Sequence, residues 1–367
     1  MVVNSLTLKT FRSYDSLSLN LSPNVNVFIG NNGEGKTNIL ESIYTLAITK
    51  SYKAKEDSLI KNGADFARIT SNIELKDREE ELTLIISKQG KIAKKNSLEI
   101  KKLSDFIGEI NVVLFSPEDL MLLKNGPQER RKLMDVFLYQ TSKKYVENYT
   151  AFKKQLKLRN DYLKYLLPRI EEGKEINDEM LDVLTTNFVE CNKKIYESRK
   201  NFIEKLETLT DEYYKRLSGT RSNIKLNYIT NFENDLEFYK DKYKSDLSNQ
   251  TTQYGCHRDD IKFLRDGVDL ENSASQGELR MLSLSIKLAL ARIIYNLKSE
   301  APIVLLDDVL SELDINHQNR LLSMLDKKMQ IIITTTDVTK IKDSFIKDAK
   351  IFNVVKGSVK EIQYGRQ

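Results

Sequence analysis

An α/β fold split by a long helical insertion is what this sequence predicts, and three observations carry the prediction. Strand-length apolar runs lie near both ends of the chain: Val25 to Ile29 after Pro23, Ile303 to Leu306, and the largely apolar Gln330 to Ile333. Runs that are apolar at consecutive positions suit strands of a parallel sheet covered on both faces. The middle of the chain differs in composition, because residues 128–167 and 176–218 contain neither Gly nor Pro. Between the first apolar run and a stretch of helical periodicity sits a glycine-rich turn, Gly30 to Thr37.

Taken in order, Met1 to about Leu123 reads as strands and short helices. Val3, Ser5, Thr7 and Lys9 alternate only imperfectly with Val2, Leu6 and Leu8. Val25 to Ile29 is a β-branched and aromatic strand that ends at Gly30. From Asn38 the apolar Ile39, Leu40, Ile43, Leu46 and Ala47 recur at helical spacing. After Gly126-Pro127, two long antiparallel helices are expected, Gln128 to Leu167 and Ile176 to Ser218, turned by Pro168 to Gly173. The second carries an amphipathic stripe of Ile176, Met180, Leu184, Phe188, Cys191, Ile195, Phe202, Leu206, Leu209 and Tyr213. Unbroken, a helix of this size reaches roughly 60 Å. From Ser248 short elements return, and Leu279 to Leu297, apolar on most faces, reads as a buried helix. The two chain ends, residues 1–123 and 248–367, are therefore expected to form one α/β head, with residues 124–247 inserted as a helical arm.

Composition narrows the function classes. Against 58 Lys and Arg stand 53 Asp and Glu, a net charge of +5 on a chain that is 30% charged, which excludes a histone-like surface or a basic tail as the main theme. Any nucleic-acid partner must be met by a local patch. No segment approaches the roughly 20 apolar residues that span a bilayer, and the start of the chain has no apolar stretch of signal-peptide length. Cys191 and Cys256 are far apart and support neither a disulfide framework nor a zinc ribbon. The expected compartment is the cytoplasm.

Three segments carry chemistry. Gly30-Asn31-Asn32-Gly33-Glu34-Gly35-Lys36-Thr37 fits G-x-x-x-x-G-K-[ST] between a strand and a helix. In such a loop, backbone N–H groups turn toward phosphate oxygens, Lys36 neutralises the β and γ phosphates, and the Thr37 hydroxyl is placed for Mg²⁺. Ile303-Val304-Leu305-Leu306-Asp307-Asp308 delivers two carboxylates at the end of a buried strand. Asp307 is expected on the metal side, and Asp308 is the candidate that polarises an attacking water. Ser273-Ala274-Ser275-Gln276-Gly277-Glu278, just before the buried helix, reads either as an anion site at a helix start or as an ordinary serine N-cap.

The order of phosphate loop, helical insertion, Ser-Gln-Gly-Glu, Asp307-Asp308 and Ser311-Glu312-Leu313-Asp314 resembles the ABC-type ATPase heads of the SMC group. Within that group the chain is similar to the RecF family of bacterial recombination mediators. The similar stretches also include Phe11-Arg12-Ser13-Tyr14, Phe115 to Leu120 with Gly126-Pro127 and Arg130-Arg131, and Gly255 to Asp260. The resemblance implies ATP and Mg²⁺ as cofactors, held by Gly30 through Thr37 with Arg12 approaching the α phosphate. Lys36 and Asp308 would be catalytic, and Thr37 and Asp307 would hold the metal. Ser275 and Gly277 would close in trans over ATP bound by a second copy, with Asp314 at the same seam, so that hydrolysis releases an ATP-dependent homodimer. It further implies a weak, DNA-stimulated ATPase associated with the nucleoid. Its partners would be double-stranded DNA and single/double-strand junctions, together with RecR, RecO and, downstream, RecA. The activity would be RecA loading at single-strand gaps in repair, replication-fork maintenance and the SOS response. An SMC-like DNA tether and an ABC transport ATPase subunit are the rival readings.

Two departures from the pattern stand out. ABC heads place a His after the last strand, whereas this chain has Thr334-Thr335-Thr336-Asp337 with Thr336 in that place, and its two histidines, His257 and His317, lie elsewhere. Slow hydrolysis suited to a switch is the expectation. Cys256 stands where the family tends to have Pro, which leaves the His257-Arg258-Asp259-Asp260 turn open between a specific role and local hydrogen bonding. For DNA, Lys88, Lys91, Lys94, Lys95, Lys101 and Lys102 form a cluster with Glu99 the one acid among them. It would bind phosphates without reading bases, or else is a solvated lysine-rich loop. Lys153, Lys154, Lys157 and Arg159 read as a solvated face, and Tyr139, Tyr145, Tyr149 and Tyr162 as packing residues.

Overall fold

The computed structural model describes residues 1–53, 56–169, 178–341 and 343–363. Along the chain run strands β1 (Val2–Phe11), β2 (Tyr14–Asn20) and β3 (Val25–Ile29), helix α1 (Lys36–Ile48), strands β4 (Phe66–Glu74), β5 (Glu79–Ser87), β6 (Gly90–Lys95) and β7 (Leu98–Ile100), the short α2 (Leu103–Phe106), β8 (Val112–Phe115) and the short α3 (Met121–Lys124). Then come α4 (Pro127–Thr141), α5 (Lys143–Leu166), α6 (Glu179–Ser218), β9 (Ile224–Ile229), α7 (Leu236–Asp241) and α8 (Tyr243–Ser248). The chain closes with β10 (Asp260–Arg265), β11 (Val268–Asp269), α9 (Leu270–Ser273), α10 (Gln276–Lys298), β12 (Ile303–Asp307), α11 (Ile315–Met324), β13 (Ile331–Thr335), α12 (Asp343–Ile346), β14 (Lys350–Val355) and β15 (Ser358–Ile362).

Both ends of the chain build one sheet of order β15-β14-β3-β13-β12-β8, parallel except for β15. The consecutive apolar residues of its strands divide between two cores. Ile303 and Leu305 of β12 join α1 and the inner face of an antiparallel sheet, β2-β1-β4-β5-β6-β7. Val304 and Leu306 face the core that holds α10 and the long helices. A strand buried on both sides has no polar face to show, which is why its sequence is a run instead of an alternation. The imperfect alternation of β1 has a local cause: its register against β4 shifts between Val3 and Ser5, so the buried Val3 and Leu6 are three residues apart.

The helical middle differs from expectation in three places. Gln128 to Leu167 is two helices, because Ser142 is extended (φ −141°, ψ 104°) and its side chain caps α5 by accepting from the Tyr145 N–H at 3.1 Å. The second helix runs unbroken for 40 residues, about 60 Å. Its buried stripe is Leu181, Thr185, Phe188, Asn192, Ile195, Arg199, Phe202, Leu206 and Thr210, whereas Met180, expected inside, is 53% exposed. Ile176 and most of the Pro168 to Gly173 turn lie outside the described residues. Arg159, expected on a solvated face with Lys153, Lys154 and Lys157, is fully buried: it donates to Asp246 at 2.7 Å, Thr252 at 2.7 Å and Thr185 at 3.0 Å. The three lysines are exposed. Tyr139, Tyr145 and Tyr149 pack ring on ring, as expected.

A three-stranded antiparallel sheet, β11-β10-β9, straddles the boundary placed between residues 247 and 248. Buried polar groups fasten it to the long helices. Arg199 of α6 donates to Asp135 of α4 (2.7 Å), Asp259 (2.8 Å), the Cys256 carbonyl (2.7 Å) and the Tyr145 hydroxyl (3.0 Å). Arg130 of α4 grips Asp260 through two bonds of 2.6 and 2.9 Å, and Arg131 reaches the Asp259 carbonyl at 2.6 Å. The His257-Arg258-Asp259-Asp260 turn is thus a fastening between helices and sheet. Its departure at Cys256 also has a use, since the Cys256 N–H donates to Asn192 at 2.8 Å, a bond proline cannot make. Burial holds His257 neutral, its pKa lowered to about 4.

Arg199→Met is expected to destabilise the protein by about 3–5 kcal/mol, because Asp135 and Asp259 would stay buried without their cation. Denaturant unfolding monitored by circular dichroism measures this, and a loss below about 1 kcal/mol would contradict the fastening role.

Candidate functional site

The turn from β3 into α1 forms the floor of a cleft of about 140 Å³ lined by Asn32, Gly33, Gly35, Lys36, Thr37, Asn38, Asp308 and Thr334. The helix starts at Lys36, two residues earlier than its apolar periodicity shows, so the motif's own last residues form its first turn. Two glycines are required by geometry. A Cβ on Gly30 would lie 2.3 Å from the Val354 carbonyl of β14, and Gly35 has φ +109° with the Tyr14 hydroxyl 2.8 Å from where a Cβ would be. The Lys36 ammonium turns back on the loop, donating to the carbonyls of Gly30 at 2.6 Å and Asn31 at 2.8 Å. Burial lowers its pKa, against the opposing pull of Asp308, Asp307 and Glu34. The far side of the loop is tied down where the N–H groups of Lys356 and Gly357, in the β14–β15 turn, donate to Glu34.

Strand β12 brings the two acids to this cleft from the opposite end of the sequence. The Thr37 hydroxyl donates to Asp307 Oδ1 at 2.8 Å across 270 residues. Thr334, one strand over on β13, donates to the same oxygen at 2.9 Å and accepts from the Asp308 N–H at 3.0 Å. Asp308 sits at φ +53°, and its Oδ1 is buried with no hydrogen-bond partner among the described residues. Positive φ and an unpartnered buried oxygen are features that cluster where proteins hold ligands. Thr336, which stands where ABC heads place a His, is exposed, and it is Thr334, to which the sequence gives no role, that meets the acids. The sequence likewise gives no role to Tyr52 and Lys53, whose hydroxyl and ammonium meet Asp307 Oδ2 at 3.0 and 3.2 Å. The available signal was only their place just beyond the motif's helix.

Among the described residues no three His, Cys, Asp or Glu gather to hold a metal. A divalent cation here would rest on the Thr37 hydroxyl, one or two of the carboxylates and ligand oxygens, which is the hard, sparse donor set that suits Mg²⁺. The open Asp308 oxygen fits that arrangement.

Other expected site residues do not line the cleft. Arg12, at φ +51°, is committed to Glu41 by two bonds of 2.8 and 2.7 Å and to the Ser58 carbonyl at 2.9 Å. Ser275 caps α10 in a reciprocal box with Glu278, bonding its N–H at 3.3 Å, and Ser275, Gln276 and Gly277 are exposed. Asp314 caps α11, accepting from Asn316 and His317 N–H groups at 2.9 and 3.1 Å. Of the lysines named for DNA, the three on β6 divide between the two faces of the strand. Lys91 and Lys95 sit opposite Ile86 and Leu82 on one face of β6, where Lys91 pairs with Glu56 and reaches the Thr49 carbonyl, and Lys95 pairs with Glu80 and Glu109. Lys94 lies on the other face, opposite Thr83.

A largely parallel sheet covered on both faces, with a glycine loop at the end of β3 and an acid pair at the end of β12, two strands over across β13, has the layout of a phosphate-loop ATPase head. Residues 2–360 match the family model described as RecF/RecN/SMC N terminal domain. A solved Smc head bound to the C-winged helix domain of ScpA shares the fold at TM-score 0.55 and 17% identity, over 99% of this chain and 98% of that one. Similarity to RecF is far higher. The DNA replication and repair protein RecF of Staphylococcus aureus (strain JH9) is 37% identical over 98% of this chain and 100% of its own length. The recombination mediator RecF solved with ATP superposes at TM-score 0.89 and 28% identity, over 99% of this chain and 98% of that one. The chain belongs to the RecF family of DNA replication and repair proteins.

Gly30→Ala should lower stability more than Gly33→Ala, by about 1–2 kcal/mol, since the first Cβ would meet the Val354 carbonyl at 2.3 Å, whereas the second meets nothing within 4 Å among the described residues and costs only the strain of φ +85°. Equal unfolding midpoints for the two variants would show that β14 does not brace the loop.

Proposed function

We propose that this chain is an ATP-dependent recombination mediator: a weak, DNA-stimulated ATPase whose bound nucleotide joins two copies on DNA and whose hydrolysis parts them. The observation that carries the reading is the single cleft in which the phosphate loop, Thr37, Asp307, Thr334 and Asp308 meet through 2.8–3.0 Å bonds. ATP-bound relatives of nearly equal length support it.

In this reading the N–H groups of residues 30–37 receive the phosphates, and Lys36 exchanges the loop carbonyls for phosphate oxygens. Thr37 and Asp307 hold Mg²⁺, which when bound neutralises charge developing on the phosphates. Asp308, oriented by Thr334, polarises the attacking water. His257 is bonded to the Thr252 carbonyl and His317 to Asp314, so both imidazoles are engaged elsewhere and turnover is slow. The exposed helix start after Ser275 offers the N–H groups of Gln276 and Gly277 to nucleotide on a second copy. Asp314 lies at the same seam, and Arg12 reaches the α phosphate once it leaves Glu41. The head of residues 1–123 and 248–367 carries this chemistry, and the arm of 124–247 takes up a partner or DNA. By kinship with proteins of the RecFOR pathway, RecR and RecO are the partners and RecA loading at gaps is the outcome. With Lys91 and Lys95 engaged internally, Lys94 is left as the freer of the three proposed DNA contacts.

Two variants test the switch by size-exclusion chromatography with double-stranded DNA. Lys36→Ala should abolish ATP-dependent dimers, and dimers that persist would sink the model. Ser275→Arg should block dimers while leaving nucleotide affinity within about twofold, as expected for an exposed position; lost nucleotide binding would contradict action in trans.

A further inference from the structure

Asp307 is held from two sides. Oδ1 takes the hydroxyls of Thr37 and Thr334, while Oδ2 takes the Tyr52 hydroxyl at 3.0 Å and the Lys53 ammonium at 3.2 Å. The Asp307 side chain is 3% exposed, and a carboxylate so buried needs a cation beside it. Lys53 supplies one, and it is not locked in place: its side chain is 31% exposed, and a second carboxylate, Glu118, stands 3.7 Å from the same nitrogen with 54% of its side chain exposed. The ammonium is shared between a buried acid and a solvated one.

We propose that Lys53 is the resident counter-ion of Asp307 in the nucleotide-free protein, competes there with the divalent cation, and is received by Glu118 when it is displaced. The proposal rests on the reading of the cleft as a Mg²⁺–nucleotide site. A monovalent ammonium and a divalent ion next to one carboxylate repel each other, so occupancy by one disfavours the other. Lys53 thereby guards against a bare buried charge when the site is empty and sets how much Mg²⁺ is needed to fill it. Glu118 sits in the turn after β8, so displacement of Lys53 also carries metal occupancy from the cleft to the edge of the parallel sheet. Lys53 acts through Asp307 and is a positioning residue.

The test is equilibrium binding of a fluorescent ADP to the full chain at graded Mg²⁺, with no turnover involved. Lys53→Met should lower the Mg²⁺ concentration at half-effect about threefold, the size expected for a partly exposed ion pair, and Lys53→Arg should restore the wild-type value. Glu118→Gln, at an exposed position that does not endanger folding, should raise it about twofold by leaving Lys53 with Asp307 alone. A midpoint that stays or rises in Lys53→Met, with nucleotide still bound, overturns the counter-ion role by itself. Absence of Mg²⁺-dependent ADP binding in the wild-type chain overturns the nucleotide reading and this proposal with it.

Discussion

One buried guanidinium ties together four elements on which the rest of this molecule packs. Arg199 stands at the middle of a 40-residue helix and reaches α4 through Asp135, α5 through Tyr145 and the approach to β10 through Asp259 and the Cys256 carbonyl. A cation that is 1% exposed is tolerable only when every direction offers an acceptor, so four elements are constrained at once by a single residue. The burial that makes the network costly to assemble also makes it specific, since a shift of any one helix would strand a charge. Arg159 is buried further along the arm with Asp246, Thr185 and Thr252, but less completely satisfied: its Nη2 has no hydrogen-bond partner among the described residues, and the guanidinium lies near the rings of Phe188 and Tyr243.

The cleft depends on the same rigidity at one remove. Helix α10 packs on the face of the sheet that Val304 and Leu306 of β12 present, and α6 packs on α10 in a continuous core. The other face of β12 is filled by α1 and the antiparallel sheet. Clamped from both sides, β12 carries Asp307 and Asp308 to a fixed distance from Thr37. Thr334 then locks the pair, because one hydroxyl bonds both a carboxylate oxygen of Asp307 and the N–H of Asp308. Positive φ at Asp308 is sustained by that packing.

Much of the fold could be read from local chemistry. The glycine loop, the acid pair, the buried helix and the consecutive apolar strands each announce themselves within ten or twenty residues, and each lies within a few residues of its expected place. Misreadings fell where context outweighs pattern. Ser142 breaks a segment free of Gly and Pro because a serine cap suffices to end one helix and start another. Arg159 falls in line with exposed lysines in sequence, yet points to the core because Asp246 and Thr252 wait there. The lysines of β6 look like one patch on paper, but a strand sends neighbours to opposite faces, and the acids that neutralise Lys91 and Lys95 come from other elements.

What the sequence determined by itself is the class: a phosphate loop, then, beyond a helical insertion, a helix-start serine and an acid pair, in that order, are local motifs whose backbone geometry follows from the residues in them. What only the tertiary structure decided is which side chains complete the site. Thr334, Tyr52 and Lys53 reach Asp307 across separations of 27, 255 and 254 residues respectively, and Glu118 is drawn in through Lys53. No periodicity or spacing encodes such meetings. They arise because burying β12 on both faces forces its carboxylates to find partners among whatever neighbours the packing brings.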